Sequence, residues 1–386
     1  MTGNESAAGH EGISRRSFLE LASAQATGLA LGSAVAGKCA AARRERPTAR
    51  AVILINNYGG PSHLDLFDMK PDAPREIRGP FRPVRTSSDE FEISELLPLH
   101  ARIADRFSLV RTCHHDAGAL HDTASTIIQT GRIPQPAGPN PHPGAVASCL
   151  LGKKTGRPCN YLVNTDRAEA PRALPAQTAA QLGEAHQPEQ VSPREYRREI
   201  QGERKYFGSS RIGDSLLTAR RLIETGARFV TVNTFNRTRG SLGWDMHGRR
   251  GFSTLDDLKA RIAPRYDRAY WGLITSLEER GLLQEILVCC LGEFGRSPVI
   301  NPAGGRDHWT GCWSVYFAGG GIKGGRAVGR SDETGSFPAD RPTDPAEITA
   351  TIYHCLGISE QAVARLPGAE QIPNLPPAAV QIKELF

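Results

Sequence analysis

Acids and imidazoles, the side chains that bind metal ions and carry protons, gather at four places in this chain. Glu293 stands between Gly292 and Phe294, with Gly295 and Arg296 next, and a loop further on brings Asp307 and His308 in tandem. Asp245 and His247 are two positions apart, between Trp244 and Gly248. In extended backbone residues i and i+2 face one side, so this pair can chelate together. His114, His115, Asp116 and His121 fall within eight positions and can hold a metal or pass protons, since imidazole titrates near neutrality. His63 and Asp65 follow Gly59, Gly60, Pro61 and Ser62. There a capping role competes, with Ser62 as helix N-cap and Asp65 as the acid of a capping box.

The elements that must position these groups are short apolar strands. Residues 51–56, 107–111, 228–233, 286–291 and 313–318 read as strands, and each of the four clusters follows one of the first four. The run 286–291 is apolar throughout and stops at glycine, as a strand buried on both faces would. Helical spacing covers 93–105, 212–226, 253–280 and 345–356. Strands separated by helices predict an α/β fold, a three-layer, mostly parallel sheet with helices on both faces. The carboxyl ends of parallel strands share one edge, where such sheets form their ligand crevice, so the four clusters are expected to converge there.

Elsewhere the reading is coarser. Residues 134–210 look like a loop-rich insertion, a lid or excursion from the core, with a strand at 160–164 and a helix at 194–201. The glycine-rich run 319–325 suits a tight hairpin, or else a cradle whose backbone amides hold an anion. With 386 residues, 39% of them hydrophobic, and a formal charge of +6 spread among acids, the chain can bury a large core and shows no basic stripe of the nucleic-acid-binding kind. An anionic small molecule or glycan suits that charge better. No internal run of about 18 apolar residues suggests a membrane span. The eight cysteines form no C-x-x-C pair. Cys289 and Cys290 lie inside a strand and read as packing, while an oxidising compartment leaves room for one or two disulfides among Cys113, Cys149, Cys159 and Cys312, whose pairing the sequence leaves open. Residues 1–37 carry Arg15 and Arg16 before Phe18 and Leu19 and a mildly apolar stretch, like a twin-arginine export signal, and 38–50 read as a linker. This address predicts a periplasmic or extracellular protein with one domain over 51–386.

Several motifs in order carry a resemblance: Gly59 to Asp65, Thr130-Gly131-Arg132, Gly292 to Arg296, Gly305 to Trp309, and the glycine run after Ala318. Together they resemble an exported bacterial family, the domain of unknown function numbered fifteen-oh-one, over about Ala51 to Phe386. That family is similar in fold to the alkaline phosphatase and sulfatase superfamily, whose enzymes hold divalent metals at strand ends and open phosphate or sulfate esters. The resemblance implies a metal site, with Zn or Ca as candidates, made by Asp65, Asp245, His247, Glu293 and His308. It implies His121 at the position of the superfamily nucleophile, with His121, His114 or His115 as proton carrier and Thr123, Ser125 and Thr126 as fallback nucleophiles. Arg296 and Arg132 would clamp an anionic substrate, with His63 and Asp307 at the same rim. The superfamily's late Asp-His pair is Glu293-Phe294 here, and no sulfatase cysteine signature is present. The expected function is an exported metal-dependent hydrolase of phosphate or sulfate esters. The alternative is a non-catalytic envelope protein that binds glycan or a partner through the same rim.

Overall fold

A computed structural model describes residues 46–134, 138–152, 156–164, 174, 176–196, 201–235, 240, 242–367 and 380–386. The twin-arginine leader and its cleavage site lie outside the described residues. Strand β1 (Ala51–Asn56) is buried along its whole length. It is joined by β2 (Phe107–Cys113), β3 (Asn160–Asn164), β4 (Glu189–Val191), β5 (Phe229–Asn233), β6 (Ile286–Leu291), β7 (Trp313–Ala318) and β8 (Ala327–Val328). These eight form one sheet in the order β8-β2-β7-β6-β1-β5-β3-β4. β1 runs parallel to β5 and β6, β3 to β4 and β5, and β8 to β2. β7 is antiparallel to both of its neighbours, β2 and β6, so β2 points the same way as the central strands. The ends of β1, β2, β5 and β6 therefore open on one edge.

Helices α1 (His121–Thr130), α2 (Pro143–Leu151), α3 (Arg211–Glu224), α4 (Ala263–Glu279) and α5 (Pro345–Leu356) cover the two faces. The pleat sends alternate residues of β1 to opposite sides. Ala51, Ile53 and Ile55 join the apolar cluster of α3 and α4, with Leu216, Leu217, Tyr266 and Leu273. Val52 and Leu54 join that of α1, α2 and α5, with Ile128, Val146, Ile348 and Ile352. Each such buried aliphatic side chain contributes about 1.5–3 kcal/mol. Two cores back to back on one sheet are the three-layer α/β fold the strand spacing predicts. No described helix is long and apolar enough to cross a membrane.

Several local expectations give way. Residues 93–105 are not one helix: Pro98 cannot donate within a helix, and the segment divides into a strand pair at Ile93–Ser94, a turn at Pro98–Ala101 and a 3-10 turn at Ala104–Arg106. The helix expected over 253–280 begins as Leu255–Asp257, widens into a π-turn at Leu258–Ile262, and becomes regular only at Ala263, just before Pro264. The proline explains the widened turn, since it has no N–H and its ring crowds the preceding carbonyls. Within 134–210, β3 and β4 form an edge of the main sheet and are no excursion from it. The helix expected at 194–201 is a 3-10 turn at Pro193–Tyr196, and residues 197–200 lie outside the described ones. The glycine run after β7 is not a hairpin, because β7 and β8 lie on opposite sides of β2. It packs on Leu283 and Leu287 at the start of β6, away from the carboxyl edge. Cys113, Cys159 and Cys312 are free and buried, so no bridge forms among the four candidate cysteines. Cys149 is disulfide-bonded.

Candidate metal centre

The loops past β1, β2, β5 and β6 meet around Asp245, a residue 2% exposed. Its Oδ1 lies 3.1 Å from His247 Nε2, 3.1 Å from His308 Nε2 and 2.8 Å from Arg296 Nη2. Its Oδ2 is 3.4 Å from His121 Nε2. The two imidazole nitrogens of His247 and His308 are themselves 3.0 Å apart. His121, Asp245 and His308 each offer a ligand atom within 4.8 Å of the others.

Hydrogen bonds on the far side of each ring decide what faces this point. His308 Nδ1 lies 3.0 Å from the carbonyl of Ala119, which can only accept, so the proton of the neutral ring is on Nδ1. His247 Nδ1 pairs with Asp307 Oδ1 at 2.6 Å, and His121 Nδ1 with Glu293 Oε1 at 2.7 Å. Carboxylates also accept only, so in the neutral rings all three Nε2 atoms present lone pairs beside the Asp245 carboxylate. Lone pairs directed at one another repel unless a cation lies among them. This pattern of imidazoles oriented from behind by carboxylates and a carbonyl is how metal sites fix their histidines.

Without a metal, the proton is the available cation. Burial works against charge on His121, but its hydrogen bonds to Asp245 and Glu293 prevail and push its pKa to about 9. His308 is lowered by burial, with Arg296 and His121 adding to the effect. Burial alone would raise the Asp245 carboxyl; hydrogen bonds from His121, His247 and His308 and the charge of Arg296 hold it far below the usual carboxylate range.

Two glycines let the β1 loop reach this point. Gly59 has φ +116°, and a Cβ there would lie 2.7 Å from the Asp245 nitrogen. Gly60 has φ +72°, and a Cβ would lie 2.5 Å from the Phe294 ring. The Gly59 N–H, 2.8 Å from Glu293 Oε1, helps fix the carboxylate that orients His121. Tyr58, just before, packs its ring 5.2 Å from that of His121. Burial and the charges of Glu293, Asp122 and Asp245 raise its phenol well above the ordinary value, so it stays protonated.

The structure brings together Asp245, His247, His308 and His121, with Glu293 and Asp307 behind two of the rings. It separates the rest. Asp65 is not beside Asp245: it is fully buried and held two-pronged by Arg306, at 2.7 and 3.1 Å, with Ser62 Oγ at 2.5 Å from Oδ2. Ser62 does cap the short helix, accepting from the Asp65 N–H, but the Asp65 carboxylate goes to Arg306 and to the Ser62 hydroxyl, not to the backbone N–H of the cap that a capping box would use. Arg296 is no substrate clamp. It is fully buried, and its donors go to the carbonyls of Gly60, Arg306, Gly59 and Trp244 and to Asp245. Arg132 is buried at the other end of the ten-residue α1, donating to the Thr130 carbonyl and interacting with Tyr353. His63 gives Nε2 to the Gly335 carbonyl at 2.8 Å, behind Gly295. His115 stands edge-on to Trp313 at 5.4 Å, with both ring nitrogens buried and without a hydrogen-bond partner among the described residues, and it makes no described contact with Asp245. His114 lies beside it, at the end of β2. Among the fallback nucleophiles, Ser125 is fully buried and Thr126 donates to the Asp122 carbonyl at 2.9 Å.

Two features escaped the sequence reading. One is Tyr58, a lone tyrosine with no patterned neighbour. The other is a ladder of amides where β1, β5 and β3 each end in asparagine, in register. Asn56 donates to Asn233 at 2.7 Å, Asn233 to Asn164 at 2.9 Å, and Gln177 closes on Asn233 at 2.9 and 3.1 Å. An apolar residue followed by Asn at three strand ends was the available signal. A separate cavity of about 550 Å³, lined by Phe67, Asp68, Arg85, Phe91 and Arg111 among others, includes none of the residues of the centre.

The profile of the family described as "Protein of unknown function (DUF1501)" matches residues 49–198 and 194–386. The chain belongs to this family. The match agrees with the motif resemblance. Comparison with curated proteins finds no match. Among solved structures, this DUF1501 chain is similar to a protein in the alkaline phosphatase superfamily from Vibrio parahaemolyticus, at 12% identity, covering 81% of this chain and 67% of that one, with TM-score 0.43. It is also similar to the PsFucS1 sulfatase from Pseudoalteromonas sp., at 12% identity, 92% and 79% coverage and TM-score 0.41. A third is the phosphonate monoester hydrolase SpPMH from Silicibacter pomeroyi, at 11% identity, 81% and 74% coverage and TM-score 0.38.

Proposed function

We propose that this DUF1501 protein is an exported, metal-dependent hydrolase of phosphate or sulfate esters. Asp245, His247 and His308 would hold one divalent ion, and the His121–Glu293 pair would handle the proton. The observation that carries this is the convergence of Nε2 lone pairs on Asp245. The tightest trio, Asp245 Oδ1, His247 Nε2 and His308 Nε2, is spaced at 3.0–3.1 Å. Ligands at about 2.0–2.1 Å in a tetrahedron stand roughly 3.3–3.4 Å apart, so the trio suits one small ion with slight relaxation. Two imidazoles and one carboxylate are zinc-type donors, whereas calcium takes oxygen ligands. This favours Zn over Ca.

A divalent ion supplies Lewis acidity at an ester oxygen and makes water more acidic. The chain's own residues do the rest. Asp307 and the Ala119 carbonyl fix the tautomers of His247 and His308. Glu293 holds His121 so that Nε2 faces the open side of the trio, where it can take a proton from attacking water. Since Ser125 is buried and Thr126 is bonded to its own helix, direct attack by water suits the site better than either of these hydroxyls, and half-buried Thr123 is the hydroxyl left as a fallback nucleophile. Those same two hydroxyls favour the second reading, a non-catalytic envelope protein that binds glycan or a partner here.

The test is metal analysis of protein purified from the periplasm, beside Asp245→Ala, followed by a screen of aryl phosphates and aryl sulfates. About one ion per chain, lost in the variant, together with turnover abolished by His121→Ala, is the expected result. An empty wild-type site would end the metal reading. A loaded site inert on every ester would leave the binding protein.

A further inference from the structure

Tyr58 packs its phenol ring against the His121 side of the centre. Its peptide is pinned on both sides, by the Asn57 N–H to the Leu291 carbonyl at 2.8 Å and by the Gly59 N–H to Glu293 at 2.8 Å. The ring is set 5.2 Å from His121 at a tilt of 50°, on the residue assigned the proton, and the side chain is only 8% exposed. None of the described hydrogen bonds engages its hydroxyl, and that oxygen is not among the sealed, unpartnered atoms. It is therefore a donor without a protein acceptor, on an oxygen that is not sealed from solvent.

Apart from the His121 proton, which an ion on Asp245 would displace, the charges acting on it are negative. Asp245, Glu293 and Asp122 all act on this hydroxyl, and Asp307 lies behind His247. Of the guanidiniums on the surrounding loops, the two buried ones turn away, and the exposed Arg249 lies over the Phe252 ring. Arg296 spends its donors on carbonyls and Asp245, and Arg306 spends its own on Asp65 and the carbonyls of Ser297, Pro298 and Ile77. A ligand with two negative charges would meet several carboxylates with no inward-facing guanidinium from this pair to offset the second charge. A singly charged ester needs only the ion and a neutral donor.

We infer that Tyr58 is the hydrogen-bond donor to a non-bridging ester oxygen, and that the site takes singly charged esters, sulfate monoesters or phosphodiesters, in preference to dianionic phosphate monoesters. This rests on the metal reading above. Tyr58 touches substrate in this scheme, so it is a catalytic residue and not only a spacer against His121.

The experiment uses zinc-loaded full-length protein and calorimetry at pH 8 with two probes, dimethyl phosphate, a monoanion, and phenyl phosphate, a dianion. Wild type is expected to bind dimethyl phosphate at least about tenfold more tightly. Tyr58→Phe keeps the ring and is expected to keep the metal and the melting temperature. It should lose about tenfold in affinity for dimethyl phosphate, the scale of one hydrogen bond to a charged group. Equal dimethyl phosphate binding by a metal-loaded Tyr58→Phe would overturn the role of the hydroxyl. A wild-type preference for phenyl phosphate would overturn the charge selection, whatever the variant does. Failure of wild type to hold zinc would bring down the metal reading and this inference together, and the metal content distinguishes that case from the other two.

Discussion

The proton that His121 holds in the metal-free protein can be counted by how it competes with a metal. Asp245 and Glu293 raise the His121 pKa to about 9, against an ordinary 6.5. A divalent ion on Asp245 takes over the charge that stabilises that proton, so binding must expel it. From pH 9 to pH 7 the competing proton strengthens by two pH units, worth about 2.7 kcal/mol, so the apparent metal affinity should fall about 100-fold. The sign follows from the raised pKa: affinity rises with pH up to about 9 and then levels. Burial lowers the His308 pKa, which moves its proton away from this window. A chromophoric chelator, corrected for its own protonation, reads the affinity at each pH. His121→Gln should bind zinc with that component of the slope removed. The same proton stabilises the metal-free fold fully below pH 6.5 and is lost as pH rises through about 9, so the chelated protein should melt lower at pH 9.5 than at pH 7. A flat wild-type profile between pH 7 and 9, or a slope that survives His121→Gln, would refute the proton assignment.

Two further substitutions separate scaffold from site. Asp65→Asn breaks the fully buried pair with Arg306 and should cost about 3–5 kcal/mol, on the order of 10 °C in melting temperature, while metal content is unchanged; loss of metal with little loss of stability would restore Asp65 as a ligand. Asn233→Leu leaves the amides of Asn56, Asn164 and Gln177 without their partner and should cost about 3 kcal/mol or more in denaturant unfolding. A loss under about 1 kcal/mol would mean that water replaces the ladder without cost.

The layered fold was legible because its central strands are simple. An apolar run such as Ile286–Leu291 is buried at every position, and sequence periodicity reports burial directly. The convergence of Asp245, His247, His308 and His121 was legible for a topological reason, since parallel strands must end on one edge. What could not be read was how each polar group spends its bonds. Asp65 and Asp245 follow similar strand ends, yet one faces Arg306 and the other faces three imidazoles. That difference depends on Arg306 reaching back 241 positions, a pairing with no local signature. Arg296 likewise looked like an anion clamp because a sequence shows its charge and not its carbonyl partners. β4 and β8 were missed because three and two residues are too short to show a period.

Hydrogen-bonding capacity sorts the polar residues of this edge more sharply than their types do. Arg296 and Arg306 are fully buried cations beside this edge, and both are committed to fixed carbonyls and carboxylates. Arg296 alone ties the loops after β1, β5 and β6 through Gly60, Trp244, Asp245 and Arg306. Groups so saturated have nothing left for a ligand and serve to hold others still. Each imidazole of the centre, by contrast, spends Nδ1 on an oxygen behind it and keeps Nε2 for the space in front. A buried lone pair left facing another lone pair is costly, and a cation among three such nitrogens, a proton or the proposed ion, relieves that repulsion. The division of labour follows from this: the arginines set the distances, and the histidines keep the nitrogens that the proposed ion would take.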